Sequence, residues 1–155
     1  MQLAALVALK SKTLVNHLCS SCLRSCERFD WEKCAWEMLP PLNEARRAHC
    51  AVSLPDGVYV LGGFNGKDYL TSVERFDEQK NEWTVVGDMR HGKCAMSAVV
   101  TSDCQFIYVL GGYNGEALGD VERYDVMMDA WEVLPPMSTK RFMHMAVSVP
   151  YNSLL

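Results

Sequence analysis

Four cysteines, Cys19, Cys22, Cys26 and Cys34, crowd into one short stretch, with His17 beside them. A Cys-x-x-Cys pair can hold zinc or cycle between thiol and disulfide. A structural zinc site needs a second such pair across a loop; that spacing is absent, so no metal is expected. A second pattern is Glu-Arg-aromatic-Asp, at Glu27-Arg28-Phe29-Asp30, Glu74-Arg75-Phe76-Asp77 and Glu122-Arg123-Tyr124-Asp125. Such a pair could do acid–base work, but threefold recurrence favours a structural ion pair. A third group is basic: Arg46, Arg47, Arg90, His91, Lys93, Lys140 and Arg141. Guanidinium groups among them could grip an acidic peptide through bidentate hydrogen bonds. No phosphate-cradling glycine loop, Gly-x-Ser-x-Gly elbow or His-Glu-x-x-His is present, and His17, His49, His91 and His144 are scattered. The expectation is no catalytic residue and no cofactor.

The chain of 155 residues and 17.5 kDa is 49% hydrophobic and 22% charged, the balance of a folded domain rather than a disordered one. Its longest clean apolar run, Leu3 to Leu9, is too short for a membrane helix, which needs about 20 residues. A net charge of −4 excludes a general electrostatic pull toward nucleic acid or an anionic membrane. Seven cysteines cannot all pair within one chain. The run Leu3 to Leu9 lacks a preceding basic residue and a nearby small-x-small cleavage pattern, so it does not read as a secretion signal. The expectation is a reducing, cytoplasmic setting with mostly free, buried thiols.

The elements that must position these groups repeat. The Glu-Arg copies are spaced by 47 and 48 residues. Six residues after each Asp stands a tryptophan, Trp36, Trp83 or Trp131, and fifteen later an Ala-Val pair: Ala51-Val52, Ala98-Val99, Ala146-Val147. A second half-unit occurs twice, as Val58-Tyr59-Val60-Leu61-Gly62-Gly63-Phe64-Asn65-Gly66 and Ile107-Tyr108-Val109-Leu110-Gly111-Gly112-Tyr113-Asn114-Gly115. Small differences in step fall between apolar segments, where loops absorb them.

Each unit reads as four short strands. In the first complete unit, strand a starts at His49, b at Val58, c at Val73 and d at Glu82. The apolar, β-branched b strands suit a sheet covered on both faces. Their Gly-Gly ends allow a sharp turn or a close approach of another layer. A four-stranded sheet apolar on both faces must stack on copies of itself, and a period near 48 matches a propeller blade. Trp36, Trp83 and Trp131 are expected as core pieces between blades, whereas Trp31 breaks the register.

The Gly-Gly pairs (Gly62, Gly63, Gly111 and Gly112), the Glu-Arg-aromatic-Asp segments and the spaced tryptophans resemble kelch repeats, most closely those of kelch-like proteins that also carry a BTB domain. The resemblance implies an all-β fold of four-stranded antiparallel blades. It covers residues 25–149 as an incomplete, open propeller: a half unit at 25–38, blades at about 46–87 and 93–134, and a last strand at 141–149. Residues 1–24 do not fit the repeat and carry a partly helical apolar spacing, so a short helix is expected there; residues 150–155 are a tail. Open blade faces favour self-association.

The resemblance implies a non-catalytic protein-binding module, with substrate recognition for a cullin-3 ubiquitin ligase as the commonest role. Actin binding is the alternative, and a kelch-fold enzyme a more remote one. Alternating strand direction puts the b–c and d–a loops on one side, the side where such relatives commonly bind a peptide. Arg46, Arg47, Lys67, Tyr69, Arg90, His91, Lys93, Glu116, Lys140 and Arg141 fall there. Arg46, Lys93 and Arg141 share one register, which more often marks architecture. Arg47, Arg90, His91, Lys67, Tyr69 and Glu116 vary between copies and are the better candidates for specificity.

Overall fold

The computed structural model describes residues 6–9 and 21–149. All eleven elements among these residues are strands, and every pairing is antiparallel. One sheet comprises β4 (Cys50–Leu54), β5 (Gly57–Leu61), β6 (Val73–Asp77) and β7 (Glu82–Val86) in sequence order. The next repeats it with β8 (Ser97–Val100), β9 (Phe106–Leu110), β10 (Val121–Asp125) and β11 (Ala130–Leu134). The register is conserved between them. Val60 lies opposite Ala51 and Glu74, and Val109 opposite Ala98 and Glu122. Strands β4 and β8 lie side by side where the two blades meet.

The Glu-Arg-aromatic-Asp motif divides its labour along strand c. Its Glu is wholly buried in both complete blades. Its Arg points outward to an ion pair, Arg75 with Asp56 at 3.0 Å and Arg123 with Glu132. Its aromatic ring enters the core. Its Asp closes the c–d turn: Asp77 accepts from the Gln79 and Lys80 amides at 2.9 and 3.0 Å, and Asp30 and Asp125 do the same in their copies.

Two apolar layers hold the sheets together. Tyr59, Leu61, Val73 and Met89 of one blade meet Ile107, Val109, Tyr124 and Trp131 of the next. Val58, Val60, Phe76 and Trp83 meet Cys26, Leu39 and Leu42 of the preceding unit. Each buried tryptophan reaches back to that unit's loop. Trp83 Nε1 donates to the Pro40 carbonyl at 2.9 Å and Trp131 Nε1 to the Gly87 carbonyl at 3.0 Å. Trp36 departs from the expectation of a core role: it is 48% exposed, because no blade stands before it among the described residues.

The N-terminal expectation needs correction. Residues Leu6–Leu9 form a strand, β1, not a helix. It pairs with β2 (Cys26–Asp30), which pairs in turn with β3 (Ala35–Leu39). Ala8 stands opposite Glu27 as Val60 stands opposite Glu74, so this apolar run occupies strand b of the half unit without a Gly-Gly end. The rest of the helix expectation, residues 1–5 and 10–20, lies outside the described residues. At the other end, 141–149 run as irregular chain rather than the expected strand. A strand is made by its neighbour's hydrogen bonds, and the hairpin partner that follows strand a in both complete blades is not among the described residues.

Candidate functional site on the loop face

The b–c and d–a loops interlock on one side of the blades. Gly63 N–H donates to the Lys93 carbonyl at 2.9 Å, and Lys93 N–H to Leu70 at 3.3 Å. The Gly-Gly pairs make this possible. Gly62 and Gly63 have φ of 54° and 103°, and a Cβ on them would stand 2.8 Å from the Lys93 and Arg47 carbonyls.

Beneath the loops lies a buried polar cluster in each blade. Arg46 and Glu74, both side chains fully buried, meet at 2.6 Å. Arg46 also donates to the Gly62 and Ser72 carbonyls and to Ser72 Oγ. Glu74 accepts from the Asn43 and Glu44 amides at 2.6 and 3.1 Å, which pins the d–a loop to strand c. In the next blade Lys93 takes the arginine's place, 2.7 Å from Glu122 and 2.9 Å from Asp120, and the Arg90 amide donates to Glu122 at 2.7 Å. Asp120 replaces Ser72, and His91 replaces Glu44. The Arg46 and Lys93 side chains are thus buried beneath the loops, each engaged by carboxylates of its own blade.

His91, Asp120 and Glu122 also bring three potential metal-ligand atoms within 4.8 Å of one another. The Lys93 ammonium already sits against both carboxylates. A cation there would meet a buried positive charge, so the cluster reads as an ion-pair network. The Lys93 ammonium holds the Asp120 carboxyl below its usual range, against the opposing effect of burial. Among the described residues the cysteines do not converge either. Cys22 Sγ lies 3.1 Å from the Phe64 carbonyl, Cys26 is buried with its thiol pushed up to about 11 by burial, and Cys34 is exposed in a turn. His17 and Cys19 lie outside the described residues.

The remaining candidates frame a ladder of rings across both blades. The Arg47 guanidinium lies over the Phe64 ring, 5.0 Å from its centroid. Phe64 and Tyr69 stand 5.1 Å apart, Tyr69 and Tyr113 6.1 Å, and Tyr113 and Phe142 5.3 Å. All but Phe142, which is exposed, are half-buried. Isolated bridges from Arg47 to Phe64 and from Phe64 to Tyr69 fix the first rungs. Lys67 is exposed at the loop tip beside them, as are Arg90 and His91 in the following loop. Lys140 and Glu116 are exposed and pair with each other at 3.2 Å. Arg141 is exposed, although its main chain repeats the Lys93 pattern, with Gly112 N–H donating to its carbonyl at 2.9 Å. Sequence reasoning did not single out Phe64, Tyr113 and Phe142. The signal was present for two of them, since Phe64 and Tyr113 follow the Gly-Gly pairs in register.

Comparison with known proteins gives a consistent picture. A family profile described as the KLHDC2/KLHL20/DRC7 Kelch-repeats domain matches residues 10–154. The chain is 35% identical to Kelch-like protein 7 of Rattus norvegicus over 120 residues, 76% of this chain and 20% of the relative. It is 36% identical to Kelch-like protein 4 of Homo sapiens over 85 residues, 55% of this chain and 12% of the relative. It is 31% identical to a RING finger domain and kelch repeat-containing protein of Dictyostelium discoideum over 113 residues, 70% of this chain and 11% of the relative. The chain thus spans at most about a fifth of the length of these relatives.

Proposed function

The chain belongs to the kelch-repeat family, and on that premise we propose that it is a non-catalytic protein-binding module whose loop face takes up a partner protein. The observation that carries this reading is the ring ladder from Arg47 to Phe142, flanked by Lys67, Arg90 and His91. Aromatic rings supply contact area at little conformational cost, and arginine adds planar hydrogen bonding and stacking. Such a surface suits a peptide that offers carboxylates beside apolar side chains. The likeness to Kelch-like proteins supports a place in substrate recognition for a cullin-3 ubiquitin ligase; filamentous actin is the rival partner. The free thiols of the six described cysteines support a reducing, cytoplasmic setting.

The test is affinity measurement on partners captured with the chain and identified by mass spectrometry, alongside co-sedimentation with filamentous actin. Arg47→Ala and Arg90→Ala should each weaken the captured partner about tenfold, equivalent to ~1.4 kcal/mol. Lys33→Ala, in a c–d turn on the opposite side, should leave it unchanged. Unaltered affinity in both arginine variants refutes the assignment of this face.

A further inference from the structure

We propose that Asn114 is a site of spontaneous covalent modification: its side-chain amide is lost through attack by the Gly115 main-chain nitrogen, while the matching Asn65-Gly66 pair is protected by its contacts. The modification itself is independent of what the loop face binds. Asn-Gly occurs twice in the chain, each time directly after the aromatic residue that follows a Gly-Gly pair. Both glycines stand at positive φ, 104° for Gly66 and 112° for Gly115, where a side chain is disfavoured. The loop geometry thus places after each asparagine the one residue type whose amide nitrogen no side chain hinders.

The reaction needs only water. The Gly115 nitrogen attacks Asn114 Cγ. The N–Cγ bond forms, the Cγ–Nδ2 bond breaks, and the Gly115 amide proton leaves with Nδ2 as ammonia. Water then opens the cyclic imide at one of its two carbonyls, giving aspartate or isoaspartate. Either way a neutral amide becomes a carboxylate, next to Tyr113 of the ring ladder.

What separates the two copies is how firmly the asparagine side chain is held. Cγ must turn toward the next nitrogen, so every hydrogen bond of the side chain opposes the attack. Asn65 Oδ1 accepts from the Lys67 and Asp68 amides at 2.9 and 2.7 Å, and its Nδ2 donates to Glu44 Oε1 at 2.8 Å. Asn114 makes none of these bonds among the described residues. Its loop is one residue shorter, Gly112 to Glu122 against Gly63 to Glu74. Its N–H donates to the Glu116 carbonyl at 3.3 Å, where that of Asn65 reaches Asp68 at 3.2 Å. His91 stands in the place of Glu44 and lies against Asp120 and Glu122, at 3.4 and 3.7 Å. Asn114 and Gly115 are exposed, and beyond its chain neighbours no atom lies within 4 Å of where a Gly115 Cβ would stand. The partners of Asn65 come from its own loop and from the preceding unit, so the contrast does not depend on chain that follows.

Peptide mapping by mass spectrometry on the full chain, aged at neutral pH and physiological temperature, reads both sites in one sample. Releasing Asn65 breaks a hydrogen bond to a charged group, so Asn114 should be converted at least about tenfold faster in the folded chain. In guanidinium chloride the two rates should converge, since an aromatic residue precedes and a glycine follows in both. Glu44→Ala should quicken Asn65 and leave Asn114 unchanged. A smaller difference in the folded chain, faster conversion of Asn65, a difference that persists in denaturant, or an Asn65 rate untouched by Glu44→Ala overturns the proposal.

Discussion

Replacing Arg46 by alanine should cost more stability than any surface change in this chain. The guanidinium is fully buried, 2.6 Å from a fully buried Glu74 carboxylate. Its removal leaves that carboxylate in the interior with only the Asn43 and Glu44 donors, and strands the Gly62 and Ser72 carbonyls it also served. Breaking a buried ion pair from one side costs about 3–5 kcal/mol, because the remaining charge stays desolvated. With a urea dependence of about 2 kcal/mol per molar, the unfolding midpoint should fall by about 2 M. Intrinsic tryptophan fluorescence, to which Trp83 of the same blade contributes along with Trp31, Trp36 and Trp131, is the assay. A finer test uses the neighbouring blade as a template. Arg46→Lys alone should cost about 2 kcal/mol, since an ammonium cannot replace the fork of hydrogen bonds. Adding Glu44→His and Ser72→Asp rebuilds the His91, Lys93, Asp120 and Glu122 set in the first blade and should recover at least half of that loss. A loss below about 1 kcal/mol for Arg46→Ala would refute the reasoning, as would a graft no more stable than Arg46→Lys.

The tryptophans offer a contrast within one repeat position: Trp83→Ala should cost about 3–5 kcal/mol in chemical denaturation and Trp36→Ala far less in the monomer, and equal losses would show that position rather than burial sets the energy. Acid should weaken the fold through His49, whose pKa burial and the nearby Arg46 charge lower to about 4. The unfolded chain takes up a proton near pH 6.5 that the native site refuses, so stability should be full above that pH and fall by about 3 kcal/mol as pH drops toward 4. His49→Gln should flatten that part of the stability–pH curve, and an unchanged slope would exclude His49 as its source. Among the described cysteines, thiol labelling at neutral pH should modify exposed Cys34 first, while Cys26, fully buried and with its thiol pushed up to about 11 by burial, reacts only on unfolding. Early labelling of Cys26 in the native chain would contradict its placement.

Much of the blade was legible from spacing alone. Unbroken apolar runs at Val58 to Leu61 and Ile107 to Leu110, Asp-closed turns and Gly-Gly ends are local devices, and the chain repeats them. The register in which Glu74 and Glu122 face their neighbours follows from that repetition. The β1 strand was missed because Leu6–Leu9 lacks the glycines that mark strand b elsewhere, and its pairing with β2 joins residues far apart in the sequence. Trp36 read as core for the converse reason: its place in the repeat equals that of Trp83, but burial needs a neighbour, and a neighbour is not a property of the residue.

The candidate site divides in the same way. That Arg46, Lys93 and Arg141 share a register was visible in the chain; that two of them are sealed beneath the loops while the third lies in solvent was not. Arg47, Tyr69 and Lys67 stood out by varying between copies, but the rings they stand among became a single ladder only when two blades were laid side by side. Sequence by itself determined the unit, its strands and its turns, because these depend on short apolar runs, turn residues a few places apart and their repetition. Tertiary structure decided which charges are buried, which tryptophan is covered and which aromatics meet, because each of these requires surfaces from different repeats to exclude the same water.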